Sequence, residues 1–107
     1  MEPDVWKVEG LDAREDCVKL VQVARRGGRD SVGLIALGRG AGRDRVEHWL
    51  KTAASVPGFI GFAVGRTSFW QPLVDVEAKR LSQEEAATRI AHNFEAWIQI
   101  FEEARSV

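Results

Sequence analysis

The sequence predicts an α/β fold built from three parallel βα units, and three observations lead to that prediction. Short apolar stretches alternate with amphipathic ones along the 107 residues, in the order β-α-β-α-β-α. Each apolar stretch ends at a glycine, as strands often do where the backbone turns. The hydrophobic share of 45% and the charged share of 29% are those of a globular domain. Because strands joined through helices pair in parallel, we expect one parallel sheet.

The first βα unit begins with a strand over residues 4–9, where side chains alternate between two faces. One of these faces consists of Val5, Lys7 and Glu9. A helix is predicted next, because Asp12 and Glu15 have the spacing of a capping box. Its apolar positions recur at helical spacing until Gly27-Gly28 ends it: Cys17, Leu20, Val21 and Ala24. Cys17 is interpreted as a core residue.

The second and third strands are predicted at residues 31–37 and 59–64. Between them, a helix over about 43–55 has an apolar stripe formed by Val46, Trp49, Leu50 and Ala53. In the third strand, bulky residues alternate with Gly61, Ala63 and Gly65, so one of its faces is almost bare. This pattern is typical of a buried strand that another part of the molecule approaches closely.

The end of the chain is predicted to be helical. After Thr67 we expect a short turn or helix, with Pro72 near its first turn. Ser82 and Glu85 then form a capping box that begins the most strongly periodic helix. The apolar positions of that helix are Ala87, Ile90, Phe94, Trp97, Ile98 and Phe101.

Glycines and arginines follow the second and third strands, which places them at one rim of the predicted sheet. We interpret Gly65-Arg66 as a phosphate-binding candidate, because guanidinium groups and backbone amides suit phosphate oxygens, and Gly38-Arg39 lies at the same rim. The hydroxyls of Thr67 and Ser68 are further candidates for the same contacts. The alternative is that these residues form ordinary polar loops. Sites in parallel α/β folds lie at the carboxyl ends of the strands, and this favours the functional interpretation.

A sheet of three parallel strands has two unpaired edges, and no predicted helix covers the face that carries Lys7 and Glu9. Closure into a (β/α)8 barrel would turn this face inward and pair both edges. We therefore predict that residues 1–107 form a single partial-barrel domain. Other copies of the chain, a separate chain or further sequence would complete the barrel.

Several function classes are disfavoured. The formal charge of −1 provides no general attraction to nucleic acid, and no apolar run approaches the roughly 20 residues of a membrane helix. No secretory signal is recognisable, and a single cysteine fits a reducing cytoplasm. His48 and His92 lie on separate predicted helices, so we predict no metal site. The glycines at 38, 40 and 42 lack the remainder of a nucleotide-binding motif, so we predict no cofactor.

Two stretches carry a resemblance to a known family. WKVE at 6–9 and GFAVGRTSFW at 61–70, together with the glycine-rich loop between them, resemble the C-terminal third of aldolase-like TIM barrels. Within this group, the chain resembles the uncharacterised domain fused behind 5-dehydro-2-deoxygluconokinase, the sugar kinase of myo-inositol catabolism. It is more distantly similar to class I tagatose-bisphosphate aldolases. The resemblance implies that the three strands are the sixth to eighth of the barrel.

The resemblance also implies roles for individual residues. Lys7 matches the lysine that forms a Schiff base in the class I aldolases, and Glu9 lies on the same face of its strand. The phosphate-binding positions match Gly38, Arg39, Gly65 and Arg66. From the residues alone, the alternative is that Lys7 is half of an interior ion pair, with Glu9 or with a residue of a neighbouring strand.

Three hypotheses about function follow. The chain is part of a carbon–carbon lyase that acts on a phosphorylated keto sugar, and we do not expect it to catalyse the reaction alone. Alternatively, it binds a sugar phosphate or phosphate without catalysis. In the third hypothesis it is an assembly fragment that exists to pair with other copies or with a partner domain.

Overall fold

The computed structural model describes residues 3–105, and its centre is a single parallel sheet. The strands are β1 (Val5–Glu9), β2 (Gly33–Leu37) and β3 (Phe59–Ala63). They lie side by side in the order β1-β2-β3, so β2 pairs with both neighbours. The register aligns Glu9 with Leu37 and Leu37 with Ala63, which brings the carboxyl ends of all three strands to one rim. The predicted α/β class and parallel sheet are confirmed.

Helices follow every strand. The chain continues from β1 into α1 (Arg14–Ala24) and a 3₁₀ turn (Arg26–Gly28), and from β2 into α2 (Arg43–Ala54). After β3 it forms two helices, α3 (Arg66–Glu77) and the long α4 (Gln83–Arg105). None of these helices is both long and apolar enough to cross a bilayer.

The core lies on one side of the sheet. Leu34, Ala36 and Phe59 point from the strands toward the helices and are at most 4% exposed. The helices complete this core with residues that are at most 2% exposed, namely Cys17, Val46, Leu50, Ala53, Trp97 and Phe101. The predicted place of Cys17 in the core is confirmed. The removal of these apolar side chains from water supplies most of the driving force for folding.

The opposite face of the sheet is open to solvent. Val5 is 45% exposed and Ile60 is 53% exposed, although both are large apolar residues. Lys7, Glu9 and Ala63 are also exposed on this side. Ile60 lies over Gly33, where an added β-carbon would come within 2.6 Å of its Cδ1 atom. The face that the sequence predicted to be without a helix is therefore accessible.

Two local predictions were wrong. Asp12 does not cap α1, because that helix begins after Ala13 without any side-chain cap. The carboxylate of Asp12 instead accepts a hydrogen bond from Trp49 of α2. The segment after Thr67 is a full helix of 12 residues, and Pro72 lies in its interior rather than in its first turn.

The capping box at the start of α4 is confirmed. The backbone amide of Glu85 donates to the Ser82 hydroxyl, and the Ser82 amide donates to the Glu85 carboxylate, both at 3.1 Å. The predicted apolar stripe is correct for Trp97 and Phe101, which are buried. It is wrong for Ile98, which is 52% exposed.

Candidate functional site

The carboxyl rim of the sheet brings together side chains from three separate strand ends. Glu9 at the end of β1 forms a salt bridge with Arg39, which lies just beyond β2, at a distance of 2.5 Å from Oε1 to Nη1. Both side chains are more than half exposed, so this pair lies at the surface of the rim. The adjacent strand β3 ends two residues before Gly65 and Arg66.

The loop after β2 is a tight turn with a demanding backbone. The amide of Ala41 donates to the carbonyl of Gly38 at 3.0 Å, and the two residues between them have positive φ angles. These angles are 53° for Arg39 and 70° for Gly40, as in a type I′ turn. A left-handed conformation costs a residue such as arginine about 1–2 kcal/mol, and strain of this kind is often found at functional sites.

Arg66 lies against this turn. A β-carbon placed on Gly40 would be 2.8 Å from the Cζ atom of Arg66, so the guanidinium group rests directly on the glycine backbone. Thr67 joins the same two loops, because its hydroxyl donates to the carbonyl of Ala41 at 2.7 Å. The structure thus places Arg66, Gly40 and Arg39 next to one another. Arg66 forms no salt bridge within residues 3–105, so its charge is not neutralised there.

Two helices begin at this rim, and both begin with glycine. The N-cap residues are Gly42 for α2 and Gly65 for α3, and neither helix has a side-chain cap. The first turn of α3 contains no acidic residue, whereas that of α2 contains Asp44. Because the first amides of a helix lack intrahelical partners and carry partial positive charge, the start of α3 favours an anion.

The other residues predicted for this site are more deeply buried in the fold. Gly38 is buried, and a β-carbon there would be 3.2 Å from Val64. Ser68 is also buried, with its hydroxyl donating to the carbonyl of Val64 at 2.9 Å. The prediction that the Ser68 hydroxyl could contact phosphate is therefore wrong. Thr67 remains half-buried at the rim, although its hydroxyl hydrogen is already donated to Ala41.

Lys7 lies on the open face of the sheet, opposite Ile35 in the β1–β2 ladder. Its side chain is exposed. Within residues 3–105 the predicted ion pair between Lys7 and Glu9 is not formed, because Glu9 pairs with Arg39 instead. The Lys7 amine is therefore accessible to any chain that packs on this face of the sheet. A partner for Lys7 on a further neighbouring strand stays a prediction.

A comparison with protein families decides where the chain belongs. Residues 1–105 match the model of a family described as an uncharacterised protein conserved in bacteria, DUF2090. The chain is a member of the DUF2090 family. Neither a curated protein nor a solved structure matches the chain at a significant level.

In this DUF2090 chain, Trp49 also packs directly on Gly10, a contact that the sequence pattern did not predict. The indole of Trp49 lies on Gly10, directly after Glu9, and its Nε1 donates to Asp12 Oδ1 at 2.7 Å. His48 approaches the carbonyl of Asp12, with 2.9 Å from Nε2 to the oxygen. Helical spacing identified Trp49 only as a residue of an apolar stripe. The glycine immediately after a strand was the one available signal of a close contact.

Proposed function

We propose that this chain is the C-terminal third of an aldolase-like (β/α)8 barrel, with β1, β2 and β3 as the sixth, seventh and eighth strands. The open parallel sheet supports this proposal, since β1 and β3 each have one edge that pairs with no strand of residues 3–105. Apolar residues on the accessible face support it as well, because a barrel interior is filled with side chains. In this arrangement Lys7 and Glu9 would point into the barrel.

The proposed ligand is a phosphorylated keto sugar whose phosphate binds at the rim. The contact between the Arg66 guanidinium and Gly40 is the observation that carries this proposal, since it places the unneutralised charge of Arg66 against the loop that carries Arg39. Arg39 and Arg66 would contribute charge, and the amides at the starts of α2 and α3 would contribute hydrogen bonds. Gly65 would allow the backbone to approach the phosphate, whereas Gly38, which is buried, would support the turn that carries Arg39.

The proposed reaction is carbon–carbon cleavage through a Schiff base on Lys7. The neutral amine attacks the ketone carbon, and loss of water leaves an iminium ion. The bond between the α- and β-carbons then breaks, and its electron pair forms an enamine with the iminium group. A base accepts the proton of the β-hydroxyl as the aldehyde product leaves, and Glu9 lies on the correct face for this role. A completed barrel would exclude water from Lys7, which favours the neutral amine.

Borohydride trapping tests the catalytic part of this proposal. The protein is incubated with dihydroxyacetone phosphate and borohydride, and the modified lysines are identified by mass spectrometry. We expect modification at Lys7, with none at that position in Lys7→Arg. Lys19 and Lys51 serve as internal controls because both are exposed lysines on helices. Equal modification of all three lysines would contradict a Schiff-base role for Lys7.

A binding module without catalysis is the second candidate, and the Glu9–Arg39 salt bridge favours it because it occupies the carboxylate that the reaction requires. Thermal melts with a sugar phosphate test this candidate, since a ligand that binds the folded state raises the melting temperature. Stabilisation that is lost in Arg66→Ala, without trapping at Lys7, would support binding alone.

Assembly is the third candidate, and the exposed apolar side chains of Val5 and Ile60 favour it. Light scattering over a wide concentration range tests whether copies of the chain cover the open face. Stability that rises with protein concentration and ignores sugar phosphate would support this role. A well-folded monomer at every concentration would count against it.

A further inference from the structure

Helix α3 contains a proline at a position where it removes a hydrogen bond. Pro72 is the seventh of the 12 residues of α3 and is buried. A residue at this position would normally donate its amide hydrogen to the carbonyl four residues earlier, which is that of Ser68. Proline has no such hydrogen, so the helix itself leaves the Ser68 carbonyl without a donor.

Helix α4 supplies the missing donor. The side-chain amide of Asn93 donates from Nδ2 to the Ser68 carbonyl at 2.8 Å. One turn further along α4, Trp97 donates from Nε1 to the Ser68 hydroxyl, also at 2.8 Å. The carbonyl and the hydroxyl of Ser68 are therefore both held by the same face of α4, since residues four apart on a helix lie side by side.

Trp97 also contacts the other helix that begins at the rim. The guanidinium of Arg43, the first residue of α2, lies 5.0 Å from the centre of the Trp97 ring. Trp97 is completely buried between these partners. Trp97 of α4 thus contacts the first turn of α2 and the first turn of α3. These are the two helix starts at the rim of the sheet that carries Arg39 and Arg66.

We propose that Asn93 and Trp97 are positioning residues for the anion site at the rim. They attach the first turn of α3 to α4 through Ser68, and this attachment holds Arg66 against Gly40. Pro72 makes the attachment necessary, because it prevents the helix from satisfying the Ser68 carbonyl internally. This proposal rests on the proposed function insofar as the ligand of the rim is a phosphate.

The proposal is distinguished from a purely structural role by restoring the missing donor. Pro72→Ala returns an amide hydrogen to the Ser68 carbonyl, and it therefore satisfies that group without α4. Asn93→Ala alone leaves a partly buried carbonyl without a donor and should lower both stability and phosphate affinity. In Asn93→Ala/Pro72→Ala the stability should return, but the attachment to α4 through Asn93 should still be missing.

The experiment compares the parent protein, both single variants and the double variant. Inorganic phosphate affinity is measured by titration calorimetry, and the unfolding midpoint by urea titration. We expect Asn93→Ala to weaken phosphate binding by up to about tenfold, because one hydrogen bond can favour the arrangement of α3 that binds by no more than roughly that factor. The double variant should regain the parent midpoint while its affinity stays weakened. His92→Ala, an exposed neighbour on α4, is the control and should match the parent in both measurements.

Recovery of affinity together with stability in the double variant would overturn the proposal. A failure of the proposed function is recognised separately, because the parent protein and Arg66→Ala would then show the same response to phosphate. In that event amide hydrogen exchange decides on the positioning role. The amides of Ser68 and Phe69 donate to the Gly65 carbonyl at the start of α3. Their exchange should be several times faster in Asn93→Ala than in His92→Ala, and equal rates would refute the attachment.

Discussion

A methyl group at Gly10 should be poorly tolerated, because the space beside this residue is filled by a rigid ring. A β-carbon at position 10 would lie 2.1 Å from Cδ2 of Trp49 and 2.3 Å from Cε3. The indole cannot bend away from the methyl group. It must therefore rotate or shift as a unit, and the loop after β1 must move with it or lose its contact.

The energetic cost follows from the contacts that the indole would lose. Its Nε1 donates to the exposed Asp12 carboxylate at 2.7 Å, and a hydrogen bond at the surface contributes about 0.5–1.5 kcal/mol. The guanidinium of Arg45 lies 5.5 Å from the ring centre, and an exposed contact of this kind contributes about 0.5–1 kcal/mol. We therefore expect Gly10→Ala to lower the free energy of unfolding by about 1–2.5 kcal/mol.

Urea unfolding followed by circular dichroism measures this loss, and a double-mutant cycle assigns it to the ring. Trp49→Ala removes the obstacle, so Gly10→Ala should cost much less in that background. Gly61→Ala is the matched control, since a β-carbon there would meet only Cγ2 of Ile35, at an ordinary contact distance of 3.7 Å. A cost for Gly10→Ala below about 0.5 kcal/mol, or one unchanged by Trp49→Ala, would refute the role of the ring.

Three further predictions concern other parts of the fold. The Gln71 amide and a neighbouring arginine hold the pKa of Asp75 below its usual value, so this carboxylate stabilises the fold above about pH 4 and ceases to do so as the pH falls further. In thermal melts below about pH 4, the difference in melting temperature between Asp75→Asn and the parent should therefore become smaller. Burial raises the pKa of the Cys17 thiol, so thiol reagents should modify it only at the rate of unfolding, in contrast to an engineered surface cysteine. Ser82→Ala should cost about 1 kcal/mol in urea unfolding through loss of the cap, and full stability would contradict the contribution of that cap.

The order and type of the elements could be predicted from the sequence, because hydrophobic periodicity and glycine positions depend on local structure. The strands and helices lie close to their predicted positions, and the capping box at Ser82 is confirmed. Asp12 shows where local reasoning fails. Its spacing to Glu15 resembles a cap, but a tertiary hydrogen bond from Trp49 holds its carboxylate.

The predicted site residues lie at one rim of the sheet, as parallel pairing of the strands requires, but their contacts could not be predicted. That Glu9 pairs with Arg39 rather than Lys7 depends on the turn conformation of residues 38–41. The burial of Ser68 depends on the packing of Trp97 from α4, which lies 29 residues away in the chain. Such contacts join distant segments, and periodicity within one segment contains no information about them.

The distribution of the tryptophans makes this protein its own optical probe. The sequence contains four tryptophans and no tyrosine, so its near-ultraviolet emission comes from indole rings. Each ring reports on a different place: Trp6 on the free edge of the sheet, Trp49 on the loop after β1, and Trp70 on the outer side of α3. Trp97, which is fully buried, should emit at the shortest wavelength, whereas Trp70, which is 60% exposed, should respond first to a soluble quencher. Variants that retain a single tryptophan would therefore report separately on the edge of the sheet, the loop after β1 and the packing of α3 and α4, without any added label.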